Sequence, residues 1–340
     1  MPSRSQARRL ERGAAAIQHD ASAFDRNIDF VARFQVGDLP HLLVCEFKRS
    51  GQPRYVREAV HHLKVISGSI PLSTPVFLAP YLSEESRRLC QDAGVGYADL
   101  EGNGRLVFDT VFIERRVDSK SPSERRELRS LFKPKSAQVL RRLLREPVRS
   151  WKIVDLAHAA EVSLGHASNV RKALIERDWA SADTRGLALT EPDALLDQWR
   201  DNHGRPRGER IQAYTTFHGR QFTDAVRKAA SHPEAHVAYA SFSAANWLAP
   251  YGRTGIEQLY VDREGLAALS EAMDLSNATK GANLEIIVPR DTGIFLDVTE
   301  PAPGVWVTSP VQTYLDLFVS GERGREAAEH LRERGLKWPP

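Results

Sequence analysis

Three residues near the start of the chain, Asp29, Glu46 and Lys48, have types and spacing suited to phosphodiester chemistry. Two converging carboxylates can hold Mg²⁺, which activates a water molecule for attack on phosphorus. A lysine beside them can orient or deprotonate that water and offset the charge that develops on the phosphorus centre. The sequence therefore predicts a Mg²⁺ site formed by Asp29 and Glu46, with all three residues as candidate catalytic groups. The alternative is that Glu46 and Lys48 form an ordinary solvated ion pair.

A β-hairpin would bring these side chains together. Two strand-like runs flank the turn signal Gly-Asp-Leu-Pro, and they read IDFVARFQV from residue 28 and HLLVCEFKRS from residue 41. If Val36 faces His41, Asp29 lies opposite Lys48 and Glu46 falls on the same face. The other face is then continuously apolar, so a helix could cover it.

The helix predicted after this hairpin has a basic face. Arg54, Arg57, His61 and Lys64 follow the helical period, while the apolar residues fall on another side. We expect Arg54, Arg57 and Lys64 to contact a phosphate backbone, because cationic side chains position nucleic acid without reading its sequence.

Asp29 together with Glu46-Phe47-Lys48 resembles the D…(D/E)xK motif of the restriction-endonuclease-like fold, the PD-(D/E)xK superfamily. The resemblance covers roughly residues 11–113 and implies an α/β/α domain that acts on DNA with Mg²⁺ as cofactor. Ile28 departs from the motif, because it stands where the eponymous proline would be. Glu11 is a candidate for a further acid on a first helix.

A second group of residues, in the middle of the chain, suits DNA recognition. The stretch from Ser163 to about Arg177 predicts a helix that Ser163 caps and that buries one apolar face. Its other faces carry side chains that can reach base edges and phosphates in a major groove, namely His166, Ser168, Asn169, Arg171 and Lys172. We predict these residues and Ser163 as DNA contacts.

The elements around this helix follow a known order. Ser136 is placed to cap a first helix, and a shorter second helix precedes the turn at Ser163. A hairpin follows, with Arg185 at its tip as a further candidate DNA contact. Helix, helix, turn, helix and hairpin resemble the winged helix-turn-helix domains of bacterial transcriptional regulators, which implies binding to double-stranded DNA. Winged helices also serve as protein-binding modules, and that alternative stays open.

The distribution of charge favours a polyanion-binding middle segment. The formal net charge is only +3, but residues 115–185 contain 17 Lys and Arg against 9 Asp and Glu. Residues 1–114 are balanced and residues 186–340 are acidic. A basic segment between neutral and acidic ones is typical of a nucleic-acid-binding module within a larger protein.

The last third of the chain alternates helical and extended segments, including a predicted strand at residues 294–298, and this predicts an α/β domain. Residues 239–250 (YASFSAANWLAP) and 307–317 (VTSPVQTYLDL) resemble the C-terminal region of AbiEi-type antitoxin proteins. The resemblance implies a type IV toxin-antitoxin role, in which a winged helix represses its own operon and the C-terminal domain counters a nucleotidyltransferase toxin. The order of helices and strands in this domain is similar to that of nucleotidyltransferases. The Gly-Ser and paired carboxylates that such catalysis needs are missing from it.

These segments predict an α/β and α+β multidomain protein. The predicted parts are a restriction-endonuclease-like domain over residues 1–116, a charged linker over 117–135, the winged helix over 136–200 and the C-terminal domain over 211–340. The two cysteines lack metal-ligand spacing, and no apolar run approaches the roughly 20 residues that cross a bilayer. We therefore expect a cytoplasmic protein without a membrane partner, and a homodimer is a further expectation.

The first hypothesis from the sequence is a DNA-binding regulator of antitoxin type, which needs no cofactor. The alternative is a Mg²⁺-dependent endonuclease of PD-(D/E)xK type that the winged helix targets to DNA. A third hypothesis is an interaction scaffold in which both nucleic-acid sites have decayed.

Overall fold

The computed structural model describes residues 28–36, 39–117, 120–252, 254–278 and 280–338. Within these residues the chain divides into two compact units. The first runs to Glu127 and includes Ile175–Asp178, and the second contains the remaining residues from Leu128 onward. The candidate acid Glu11 lies outside the described residues.

The first unit contains a mixed β-sheet and the helices that connect its strands. In chain order these are β1 (Phe30–Val36), β2 (Leu39–Phe47), α1 (Pro53–Gly68), β3 (Ser73–Ala79), α2 (Glu84–Asp92), β4 (Gly96–Asp99), β5 (Gly104–Phe108) and β6 (Val111–Arg115). The strands lie side by side in the order β1-β2-β3-β4-β5-β6. β3 pairs in parallel with β2 and with β4, and the other neighbours are antiparallel. The helices α1 and α2 make the connections between the parallel strands, as such connections require.

The predicted hairpin is present, but its register differs from the predicted one by two residues. The structure pairs Val36 with Leu39 and Phe30 with Cys45, whereas the sequence predicts Val36 opposite His41. The reason is the length of the connection, since the strands extend until two residues separate them instead of four, and two-residue connections are the commonest in hairpins. A shift of two residues leaves the two faces of the hairpin as predicted, because side chains alternate with a period of two. The prediction of which face a helix covers is wrong: α1 packs on the face that contains Glu46, where Val44 joins Val56 and Leu63 in the core, whereas Phe47 on the other face is 42% exposed.

Both cysteines lie in the core of the first unit, and burial raises the pKa of Cys45 and of Cys90 to about 12. Because the thiolate is the reactive form, we expect both thiols to react slowly with a disulfide reagent at pH 8 in the native protein and at once in denaturant. The measurement is absorbance of the released thiol over time. Two native thiols that react as fast as free cysteine would contradict this burial.

A helix crosses from the first unit to the second, and a helical segment with a small hairpin follows it. The elements are α3 (Pro122–Leu131), α4 (Pro134–Arg145), α5 (Ile153–Ala159), α6 (Leu164–Glu176), β7 (Ala180–Asp183), β8 (Gly186–Leu189) and α7 (Pro192–Asn202). The predicted order of helix, helix, turn, helix and hairpin is therefore present. One detail is corrected: Ser136 lies inside α4 and does not cap it, because Pro134 occupies the first turn and Lys133 is the N-cap residue.

The rest of the second unit is a β-sheet with helices packed on it. It contains β9 (Gly208–Tyr214), α8 (Gly219–Ala230), β10 (Val237–Tyr239), α9 (Ser241–Leu248), β11 (Glu257–Val261), α10 (Arg263–Ala272), β12 (Ser276–Asn277), β13 (Leu284–Pro289), a 3-10 helix (Thr292–Asp297), β14 (Thr299–Ala302), β15 (Val305–Val307), α11 (Pro310–Phe318) and α12 (Glu322–Gly335). The strand order is β12-β9-β13-β11-β10-β15-β14. The chain is thus a mixed α/β protein, as predicted.

The segment from residue 294 is a correction to the predicted elements. Its short apolar run predicts a strand, but it belongs to the 3-10 helix, which Asp291 caps by accepting a hydrogen bond from the Gly293 N–H. Ile294 and Phe295 are buried on that helix. Within the described residues, every helix is too short or too polar to span a bilayer.

Arginines of α4 hold this helix against the 3-10 helix inside the second unit. Arg141 donates to the Gly293 carbonyl oxygen over 3.0 Å, and Arg142 donates to the Leu296 carbonyl oxygen over 2.8 Å. Arg145 donates to Asp297 Oδ1 over 2.8 Å. The Leu296 carbonyl group lies in the last turn of the 3-10 helix, where a helix leaves its carbonyl groups without internal partners.

Candidate nucleic-acid interface

The helix α6 has one buried face and one exposed polar face, as its sequence predicts. Ala167, Val170 and Leu174 are buried at helical spacing. The candidate DNA contacts on the other faces are exposed, namely Ser168, Asn169, Arg171 and Lys172. The structure therefore places donor-rich side chains together on one accessible surface, which we call the α6 face.

The start of α6 is built by a tight turn and a serine. Glu161 adopts a left-handed conformation with φ of 50° in the turn. Ser163 Oγ accepts a hydrogen bond of 3.2 Å from the His166 N–H, so Ser163 caps the helix as predicted. Ser163 is also exposed, which leaves it accessible beside the α6 face.

His166 lies differently from the other candidate contacts, because it is half-buried and bonded to α4. Ser136 Oγ donates to the Ser130 carbonyl oxygen and lies 3.1 Å from His166 Nε2. Since the serine hydroxyl has one proton, His166 Nε2 must be the donor in the second bond. Any contact of His166 with DNA would then use the other ring nitrogen.

The hairpin of β7 and β8 presents Arg185 at an exposed tip. Arg185 Nη2 lies 2.8 Å from Asp183 Oδ2, and this hydrogen bond lowers the pKa of the Asp183 carboxyl group. Gly186 has φ of 137°, and a Cβ there would lie 2.3 Å from the Trp151 carbonyl oxygen. Only glycine therefore fits the turn that holds Arg185 in place.

The predicted catalytic residues form a small cluster at the end of β2. Glu46 is 3% exposed, with Lys48 Nζ 2.6 Å from Oε1 and His62 Nδ1 3.3 Å from Oε2. Asp29 Oδ2 accepts a hydrogen bond of 2.6 Å from the Phe47 N–H. The structure thus joins Glu46 to Lys48, and it holds the Asp29 carboxylate on the backbone of Phe47, the residue between them in the sequence. Sequence reasoning missed His62, whose only signal is its position on the helix that covers the hairpin.

The donor set of this cluster suits Mg²⁺ only after a rearrangement. Asp29 and Glu46 supply carboxylate oxygens, which Mg²⁺ prefers. Both Glu46 oxygens already have partners, so a cation would compete with Lys48 for Oε1 and with His62 for Oε2. Among the described residues there is no group of three His, Cys, Asp or Glu side chains placed to hold a metal ion.

The basic residues of α1 are exposed, but acidic partners offset some of their charge. Arg54 pairs with Glu58 at 3.4 Å, and Arg57 pairs with Asp178 at 3.0 Å. Lys64 is exposed further along the helix. Exposed pairs of this kind open readily, so these arginines could exchange a carboxylate for a phosphate.

The comparisons with known proteins concern the second unit. Residues 188–337 match a family model described as "Transcriptional regulator, AbiEi antitoxin, Type IV TA system". The matched stretch begins in β8 and includes α7 and the C-terminal sheet, so it confirms the predicted AbiEi resemblance there. It does not include α6. Searches of curated proteins and of solved structures gave no match.

Proposed function

We propose that this protein is a DNA-binding transcriptional regulator of the type IV antitoxin kind, which represses its own operon and counters a nucleotidyltransferase toxin. The observation that carries the proposal is the match of residues 188–337 to a family described as both transcriptional regulator and antitoxin. The site of action would be an operator in the cytoplasm.

The α6 face supports double-stranded DNA as the ligand. Helix α6 would enter the major groove as the recognition helix of a winged helix-turn-helix over residues 136–200. Asn169 can bond the adenine edge through both atoms of its amide, whereas Arg171 and Lys172 neutralise phosphates. Arg185 would contact the backbone from the hairpin, exchanging Asp183 for a phosphate oxygen.

The C-terminal sheet would bind the toxin partner, since the stretch that matches the antitoxin family contains it. A homodimer on a two-fold symmetric operator would double the number of α6 contacts. Both assignments follow from the family description and from geometry common to helix-turn-helix proteins.

A reporter gene fused to the DNA upstream of this protein's own gene tests the proposed function. We expect the protein to lower reporter expression, and we expect Asn169→Ala with Lys172→Ala to restore it. Co-expression with the product of the neighbouring gene tests the antitoxin part, with recovery of cell growth as the readout. Unchanged reporter expression and unchanged growth would refute the proposal.

The Glu46 cluster supports a second candidate function, a Mg²⁺-dependent DNA endonuclease. The specific observation is that Glu46, Lys48 and Asp29 meet at the end of β2. Asp29 and Glu46 would hold Mg²⁺, which when bound would supply an activated water and neutralise phosphate charge. Lys48, released from Glu46, would orient that water or accept its proton. Arg54, Arg57 and Lys64 would hold the backbone.

For this second function we expect Glu46→Gln to abolish metal-dependent cleavage, because it keeps the shape and removes the charge that binds the cation. The assay uses supercoiled, linear and single-stranded DNA with Mg²⁺ and with Mn²⁺. Glu84→Gln, which changes an exposed glutamate of α2, is the matched control and should keep wild-type activity. Operator binding should change little in either variant. A wild-type protein that cleaves none of these DNAs would refute the endonuclease.

A further inference from the structure

Leu164 is an apolar side chain at the tip of an otherwise polar face. It is the first residue of α6 and remains 50% exposed, whereas the apolar residues on the buried face of this helix are at most 3% exposed. Ser168 and Arg171 follow it at helical spacing and are exposed on the same side. The side chain therefore points outward among groups suited to DNA.

Gly165 lies beside Leu164 and is not required by the fold. It has no left-handed conformation, and a Cβ added there would meet nothing within 4 Å. Glycine lowers the stability of a helix relative to alanine, so its presence in the first turn needs another reason. A missing side chain lets the start of α6 approach the edge of another molecule closely.

Apolar contact has one natural target in a major groove. The C5 methyl group of thymine is the apolar group among the base edges there, while the other exposed atoms are hydrogen-bond donors and acceptors. In helix-turn-helix proteins the residues near the start of the recognition helix contact these edges. Leu164 and Gly165 occupy that position on α6.

We infer that Leu164 contacts the methyl group of a thymine and thereby specifies a T·A pair in the operator. This inference rests on the proposed DNA-binding function and adds to it a residue that determines specificity. Asn169 lies five residues further along the same helix, about one and a half turns, and its amide would read another base pair by hydrogen bonds.

Deoxyuridine tests the contact directly, because it removes only the methyl group. Duplexes that the wild-type protein selects from a random-sequence library serve as probes, and each thymine is replaced by deoxyuridine in turn. We expect one position at which the replacement raises Kd about fourfold, the effect of losing one buried methyl group. Fluorescence anisotropy gives the values.

The Leu164→Ala variant should bind the thymine and deoxyuridine forms at that position equally, because the partner of the methyl group is gone. Alanine favours helix, so the variant should fold. Ile256→Ala, which removes another exposed aliphatic side chain of the second unit, should keep the wild-type difference. A deoxyuridine effect that persists in Leu164→Ala, or no sensitive thymine in a protein that does select a sequence, would overturn the inference. A wild-type protein that selects no sequence would instead refute the proposed function, and the inferred contact of Leu164 with thymine would fall with it.

Discussion

Replacing Arg141 with alanine should lower the free energy of unfolding of the second unit by about 3–5 kcal/mol. Arg141 is 3% exposed, and its guanidinium donates to Gln312 Oε1 and to the Gly293 carbonyl oxygen, each over 3.0 Å. Burial lowers the pKa of Arg141, while the nearby carboxylates, those of Asp291 and Asp297 foremost, oppose the shift. The side chain is therefore a buried cation that its surroundings compensate.

The expected loss of free energy of unfolding is large because the groups around Arg141 are hydrogen-bond acceptors and carboxylates, which a cation stabilises. Without it, two buried acceptors lose their donor, and the neighbouring carboxylates lose a compensating charge. The variant also leaves an unfilled volume between α4 and the 3-10 helix.

Urea denaturation followed by tryptophan fluorescence measures this effect. All six tryptophans belong to the second unit, so the signal reports that unit alone. Arg220→Ala is the control: Arg220 is 94% exposed and pairs with the exposed Asp224 on the surface of α8. This substitution should change the free energy of unfolding little, since water screens exposed pairs. Equal destabilisation by the two variants would show that burial does not set the contribution of Arg141.

Asn169→Ala and Lys172→Ala should both weaken DNA binding, but in different ways. An amide reads a base edge, so its loss should cost roughly 1–3 kcal/mol at the operator and little on random DNA. An ammonium neutralises phosphate, so its loss should weaken binding to all sequences and reduce the slope of log Kd against log salt by about one.

Gel shifts on operator and random duplexes at several salt concentrations separate the two effects. Lys228→Ala removes the same charge from an exposed position of α8 and should leave binding unchanged. If the double variant at residues 169 and 172 bound both DNAs as tightly as wild type, α6 would not be the recognition helix.

The sequence predicted local structure well where helical periodicity or a single N-cap residue determines it. Helical spacing identified Ala167, Val170 and Leu174 as the buried face of α6. Ser163 caps α6 by accepting a hydrogen bond from the His166 N–H, as its position before the helix predicts. Such features depend on neighbouring residues alone, so a single sequence contains the information.

Features that depend on distant parts of the chain were not predictable. The hairpin register depends on whether two or four residues connect the strands. The alternation of apolar residues fits either register equally well. His62 reaches Glu46 only because α1 packs on β2, and a helix position alone does not reveal that partner. The segment from residue 294 is short and apolar, and such a run is ambiguous between strand and helix. Charge and spacing predicted the exposed residues of α6. They did not predict the bond between His166 and Ser136, because these residues are distant in the sequence.

Fluorescence anisotropy with the DNA upstream of this protein's own gene tests the central claim most directly. A scrambled duplex of equal length and composition serves as the comparison, and salt is varied. A DNA-binding regulator predicts binding to the upstream duplex that is stronger than binding to the scrambled one, by a factor of about 10³ or more at physiological salt. Both affinities should fall as salt rises, because cationic residues release counterions. Equal affinity for the two duplexes at every salt concentration would contradict the account.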